Sequence, residues 1–154
     1  MSPGTAPRPI APEHALVVAG CSRRKHPSES HVPALELYAG GIAPQLRARL
    51  GALPPYRARI RFLSAEHGLV HADTPLLPYD RHMTARRRTE LERVVGEQVR
   101  REWEPSGPAT VLVVADAAYL PLLCAVPSGI RVRWIPDPHG WAQAAAVLDS
   151  WRWP

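Results

Sequence analysis

Glu66 and His67 are adjacent in the run Ser64-Ala65-Glu66-His67-Gly68, and together they are the pair in this chain best suited to chemistry. A carboxylate beside an imidazole suits general acid–base work near neutral pH. On an extended segment the two side chains point to opposite sides, and a turn at Gly68 would bring both to one edge. The alternative is structural: Glu66 caps a helix or pairs with an arginine, and His67 is a satisfied turn residue. A second group lies in residues 74–84, where Pro75 and Pro78 stiffen a loop carrying Tyr79 and Asp80. Tyr79 suits stacking on a base or ring, and Asp80 suits binding a sugar hydroxyl or activating water. Asp80 could equally bond into its own turn. Tyr38, just before Gly40 and Gly41, offers a second aromatic wall or a core tyrosine.

The third group is Cys21-Ser22-Arg23-Arg24-Lys25, which follows directly on the apolar run 15–19. Small residues let the backbone approach a ligand, and three successive cations suit an anion, above all a phosphate. The plain alternative is a solvated basic turn. Cys21 reads as a close-packed turn residue rather than a nucleophile.

Several sharper chemistries are excluded. The sixth position after Cys21 is Pro27, not the arginine of a cysteine-phosphatase loop. Neither a phosphate-binding Gly-x-x-x-x-Gly-Lys-Ser/Thr loop nor a Gly-x-Gly-x-x-Gly turn is present, and Gly-x-Ser-x-Gly is also missing. His67 and His71 have metal-compatible spacing, but no third ligand is evident, so neither a metal nor a cofactor is expected.

The elements that must position these groups can be read from the apolar pattern. Strands are expected at 15–19, 60–64, 110–115 and 130–135, the last alternating like a half-exposed edge. Helices are expected at 42–53, at 84–104 with Thr84 as N-cap and Pro105 as terminator, and at 117–126. A last helix is expected to begin with Asp137 as N-cap and Pro138 at its first position. Strands alternating with helices predict an α/β three-layer sandwich with a mainly parallel, four-stranded sheet. Its carboxyl edge would gather 21–25, then Ser64 to His71 with Gly68 between them, then Asp116, then Asp137 and His139. Four polar strand ends converging in this way argue for a binding pocket.

With 154 residues and 45% hydrophobic content, the chain is expected to form one domain, 14–154, behind a loose Pro-rich tail, 1–13. No apolar run approaches the ~20 residues of a membrane span, and no signal-like segment opens the chain, so a cytoplasmic protein without membrane partners is expected. Cys21 and Cys124 suggest no disulfide framework, and Cys124 reads as a small core residue. The net charge is +5, and between Cys21 and Arg61 eight cations (Arg23, Arg24, Lys25, Arg47, Arg49, Arg57, Arg59, Arg61) face only Glu29 and Glu36. That imbalance favours an anionic partner, a nucleotide or a nucleic acid. The long helix carries a further cluster, Arg86-Arg87-Arg88.

Taken in order, Gly20-Cys21-Ser22-Arg23-Arg24-Lys25, the stretch from Pro33 to Gly40, Phe62-Leu63-Ser64-Ala65-Glu66-His67-Gly68-Leu69-Val70 and Pro78-Tyr79-Asp80 resemble a bacterial family often labelled peroxide-stress protein YaaA-like. The resemblance spans residues 16–119 and points to Cys21, Ser22, Lys25, Ser64, Gly68, Leu69, Pro78, Tyr79 and Asp80. The chain departs from many relatives in placing Asp116 where they have glycine, while keeping Tyr119. A more distant likeness to the uracil-DNA glycosylase-type fold implies fold and substrate class only. The resulting expectation is an enzyme acting on a nucleotide, nucleoside or nucleobase by N-glycosidic hydrolysis. The turn 21–25 would hold phosphate, Tyr38 or Tyr79 would stack on the base, Glu66 or Asp80 would orient water, and His67 would meet the leaving base. The rival is a non-catalytic nucleic-acid-binding stress-response protein.

Overall fold

The computed structural model describes residues 8–104 and 106–154. Pro105 and residues 1–7 of the expected tail lie outside the described residues. The strands are β1 (Ala15–Gly20), β2 (Val32–Pro33), β3 (Ile60–Ser64), β4 (Gly68–His71), β5 (Pro75–Leu76), β6 (Thr110–Val114) and β7 (Arg131–Ile135). The helices are α1 (Ala34–Leu37), α2 (Ala43–Leu50), α3 (Pro54–Arg57), α4 (Ala85–Trp103) and α5 (Trp141–Ser150), with 3-10 turns at Pro12–His14 and Ala117–Leu123.

The main sheet runs β4-β3-β1-β6-β7 and has five strands, not four. Strands β3, β1, β6 and β7 are parallel, and β4 pairs antiparallel to β3. The fifth strand arises because Gly68, at φ +76°, turns the chain straight back, so that Ser64 faces Gly68 and Leu63 faces Leu69. A three-residue loop closed by a glycine in the left-handed region is a favoured hairpin connection. A side chain at Gly68 would also meet Gln98 Oε1 at 2.9 Å. Gln98 seals the hairpin by accepting from Leu69 N and donating to Leu69 O, at 2.9 and 3.0 Å.

Alternation along β1 splits the core into two layers. Ala15, Val17 and Ala19 pack with Phe62, Leu112, Val114, α1, α2 and α5. Leu16 and Val18 pack with Leu63, Val111, Val113 and the buried stripe of α4, namely Leu91, Val95, Val99 and Trp103. A sheet covered on both faces needs strands with continuous apolar runs, and β1 from Ala15 to Ala19 and β6 from Val111 to Val114 supply them. The chain is thus a three-layer α/β domain.

Helix α4 begins as its sequence predicts, with Thr84 Oγ1 accepting from Arg87 N at 3.0 Å. Other boundaries differ. The helix expected at 42–53 ends at Leu50, and Pro54 starts a separate turn. The last helix starts at Trp141 after Gly140 rather than at Asp137, whose carboxylate instead accepts from His139 N at 2.9 Å. That side chain to main chain bond stabilises a turn in place of a helix cap. Cys124 is exposed, not core: Pro121 holds the segment in a 3-10 turn that buries Leu122 and Leu123 and leaves Cys124 outside. The described part of the expected tail is tied down, with Ile10 N donating to Trp151 O and Trp153 Nε1 to Ile10 O, at 3.0 and 2.8 Å.

Candidate functional site

The strand order reverses at β1, with β3 on one side and β6 on the other. In open α/β sheets a crevice forms beyond the carboxyl ends of the strands at such a point. Here it holds a cavity of about 320 Å³ lined by residues that include Cys21, Ser22, Arg23 and Lys25 after β1, Asp116 and Tyr119 after β6, and Asp80, Arg81 and His82 from the loop after β5.

The turn after β1 is heavily bonded. Ser22 is buried, and its Oγ donates to Arg24 O at 2.6 Å while accepting from Gly40 N at 3.1 Å. Ala39 N donates to Arg24 O, and His26 N to Leu37 O, both at 2.8 Å. Gly40 allows this approach, since a side chain there would meet Ser22 Cβ at 3.2 Å. Lys25 Nζ donates to Ser22 O at 2.8 Å and lies 4.3 Å from the centre of the Tyr79 ring. Burial pushes this ammonium below the usual lysine range, against the opposing pull of Cys21 and Asp80. The three cations therefore divide. Lys25 clamps the turn against Tyr79. Among the described residues, the exposed Arg23 and Arg24 make no hydrogen bond or ion pair through their guanidinium groups.

Beneath the turn runs a chain of buried hydroxyls. Tyr79 OH shares hydrogen bonds with Tyr38 OH and with Ser64 Oγ, each at 2.6 Å. Ser64 Oγ also accepts from Glu66 N and His67 N, at 3.1 and 3.0 Å. Burial raises the Tyr38 phenol to about 12 and drives Tyr79 and Tyr119 upward as well, so all three are neutral hydroxyls at pH 7. Tyr38 is wholly buried and cannot serve as a wall for a ligand, because it packs on Phe62 with ring centres 4.8 Å apart. Ser64 is equally buried and acts as the hub that ties the hairpin tip to Tyr79. Cys21 Sγ lies 3.4 Å from Tyr119 OH, on the cavity wall.

Glu66 and His67 do not line this cavity. They line a separate cleft of about 250 Å³ with His31, Leu77 and Tyr79. The His67 ring packs edge-on to Tyr79 at 5.1 Å, and burial lowers its pKa, Glu66 opposing and Arg87 reinforcing the shift. Glu66 receives Arg81 Nη1 at 3.3 Å, and Arg81 itself lines the main cavity. Arg87 holds the tip by donating to Ala65 O and Glu66 O, at 2.8 and 2.7 Å. Asp80 is on the cavity wall with its side chain 90% exposed, and His82 Nε2 stands 4.0 Å from its carboxylate. Asp116 caps the 3-10 turn by accepting from Ala118 N at 2.8 Å through one oxygen. Lining residues outside the expected site are Arg81, His82, Met83, Gly20, Tyr119 and Pro138. The first two sit beside Asp80 in the stiffened loop, which was the available signal.

The basic stretch is mostly spent inside the fold. Arg47 donates to Leu35 O, Arg49 pairs with Asp149, and Arg57 bridges Glu36 and Asp73. Arg59 donates to Ala15 O, and Arg61 to Ala58 O beside Glu102. In the second cluster, Arg86 and Arg87 both pair with Glu90. Among the described residues no group of three His, Cys, Asp or Glu side chains is placed to hold a metal ion, and no helix is long and apolar enough to cross a membrane.

No curated protein and no solved structure matches the chain. One family model matches residues 16–135, a span that covers the sheet from β1 to β7 and the whole lining of the main cavity except Pro138. The chain belongs to the family described as Family of unknown function (DUF6884).

Proposed function

We propose that the protein is an enzyme that binds a nucleotide or nucleoside at the switch-point cavity and hydrolyses its N-glycosidic bond. The observation that carries this reading is the pairing, across one cavity, of the unpartnered cation Arg23 with the carboxylates Asp80 and Asp116. Arg23 holds phosphate, and Lys25 fixes the turn that presents it. Asp80, free of short bonds, orients water and stabilises the oxocarbenium-like centre. Asp116, held by its cap bond, receives a sugar hydroxyl on its second oxygen. Meeting the leaving base, the role expected of His67, falls to His82, because His82 lines the cavity and His67 lines the separate cleft. Glu66 acts on the site only through Arg81. The YaaA-like motifs and the likeness to the uracil-DNA glycosylase-type fold support the substrate class.

A non-catalytic nucleic-acid-binding role has less support, since Arg47, Arg49, Arg57, Arg59 and Arg61 are committed to internal partners. The test is release of free base and reducing sugar from a panel of ribo- and deoxyribonucleotides and nucleosides, followed by chromatography. Hydrolysis that Asp80→Asn removes supports the proposal. Absence of release from every member, together with tight, steeply salt-dependent DNA binding, transfers the assignment to the rival.

A further inference from the structure

The switch-point cavity has a neighbour. A second hollow of about 340 Å³, largely apolar, is lined by Cys21, Ser22, Arg23, Arg24, Gly40, Gly41, Pro138 and His139. Cys21, Ser22, Arg23 and Pro138 line both spaces, so the two lobes meet along the turn after β1. Arg23 is the cation common to both, while Lys25 belongs to the first lobe and Arg24 to the second. An anion held by Arg23 therefore has room on each of its two sides. Each lobe alone is at the lower end of the ~300–1,000 Å³ usual for small-molecule pockets, enough for one nucleoside-sized group.

Chemistry differs between the lobes in a way that suits two unlike halves. The first presents Asp80, Asp116, His82 and Tyr119, which bind hydroxyls and can act on a sugar. The second presents the bare backbone of Gly40 and Gly41 and the exposed imidazole of His139, which suit the flat face of a base. Gly41, at φ +59°, and Gly40, pressed on Ser22, keep this floor free of side chains.

We infer that the ligand is a nucleotide whose phosphate is substituted on both sides, a dinucleoside phosphate unit, with its phosphate on Arg23 and one nucleoside in each lobe. The inference rests on the proposed nucleotide reading of the same cavity. A terminal phosphate monoester would leave the second lobe empty.

The test is titration calorimetry on the full chain with three probes: dinucleoside monophosphates of the four bases, the four nucleoside 5′-monophosphates, and a mixed-sequence single-stranded hexanucleotide. The best dinucleoside monophosphate should bind about tenfold or more tightly than either component monophosphate, since base stacking in a second lobe alone contributes about that much. His139→Ala should weaken the dinucleotide about fivefold and leave monophosphates unchanged. Arg23→Ala, at an exposed residue without partners, should weaken both ligands about tenfold or more. A hexanucleotide that binds as well as the dinucleotide assigns the ligand to a strand, and one that does not bind assigns it to a free dinucleotide; either supports the inference. Monophosphates binding as tightly as dinucleotides would overturn it and leave the nucleotide reading standing. No binding by any probe would overturn both.

Discussion

The two strand ends richest in ionisable groups, residues 21–25 after β1 and residues 65–67 between β3 and β4, share one hydroxyl chain yet face different spaces. Ser64 and Tyr79 anchor the hairpin tip, and Lys25 lies over the same Tyr79 ring. On the β1 side the anchoring leaves Arg23 unpartnered above a cavity. On the hairpin side the charges are consumed: Glu66 by Arg81, and the main chain by Arg87. A cluster of reactive residue types becomes a site only where the fold leaves its charges without partners. The hairpin tip is built as a buttress.

The largest test of that contrast is catalytic. Asp80→Asn should lower base release by about a hundredfold or more, while Glu66→Gln lowers it less than about threefold, both with a native circular dichroism spectrum. Equal losses in the two variants would erase the distinction between the two regions. Next in size is Tyr79→Phe, which strips the Tyr38 hydroxyl of its partner and the Ser64 hydroxyl of one of its partners. Urea unfolding should show about 2–3 kcal/mol of lost stability, with the slope unchanged. Arg87→Ala removes two bonds to main-chain carbonyls at the tip and should cost about 1–2 kcal/mol. In the same variant, amide exchange should quicken at residues 65–69 and stay slow in β1.

The smallest effect is on pH dependence. Burial holds the folded-state pKa of His67 below its ordinary value of 6.5, so the unfolded chain binds the proton more readily. The contribution of His67 is therefore complete above pH 6.5 and falls as pH drops from there through the lowered folded value. Comparing urea midpoints at pH 7.5 and 5.5 for wild type and His67→Gln isolates it: the wild type should lose more stability on acidification than the variant. An equal loss in both would show that the edge-on contact with Tyr79 does not desolvate His67.

Much of the fold was legible because periodicity reports burial directly. The apolar runs of β1 and β6 and the helical stripe with its Thr84 cap in α4 all match local pattern, whereas the alternation expected of β7 does not appear as burial: only Ile135 of that edge strand is buried. Strand β4 was not legible, since Gly-Leu-Val-His is too short to separate from the strand end before it. The start of α5 was misplaced because Asp137 satisfies a turn as readily as a helix. The candidate site divides along the same line. Strand-end position was enough to bring Cys21, Ser22, Arg23, Lys25 and Asp116 to one cavity, and the proline-stiffened loop added Asp80. It was not enough for Glu66 and His67, whose direction depends on a hairpin return that places them with Tyr79 on a separate cleft.

Sequence alone determined the parallel α/β class, the two-sided core and the basic turn beyond the first strand, because these follow from apolar spacing and local chain chemistry. Tertiary structure alone decided which charges remain available. Of the eight cations from Arg23 to Arg61, five are bonded to or ion-paired with groups brought near by folding and Lys25 is folded back on its own turn, leaving Arg23 and Arg24 beside the cavities. Pairing depends on distances across the fold, and no local pattern encodes those distances.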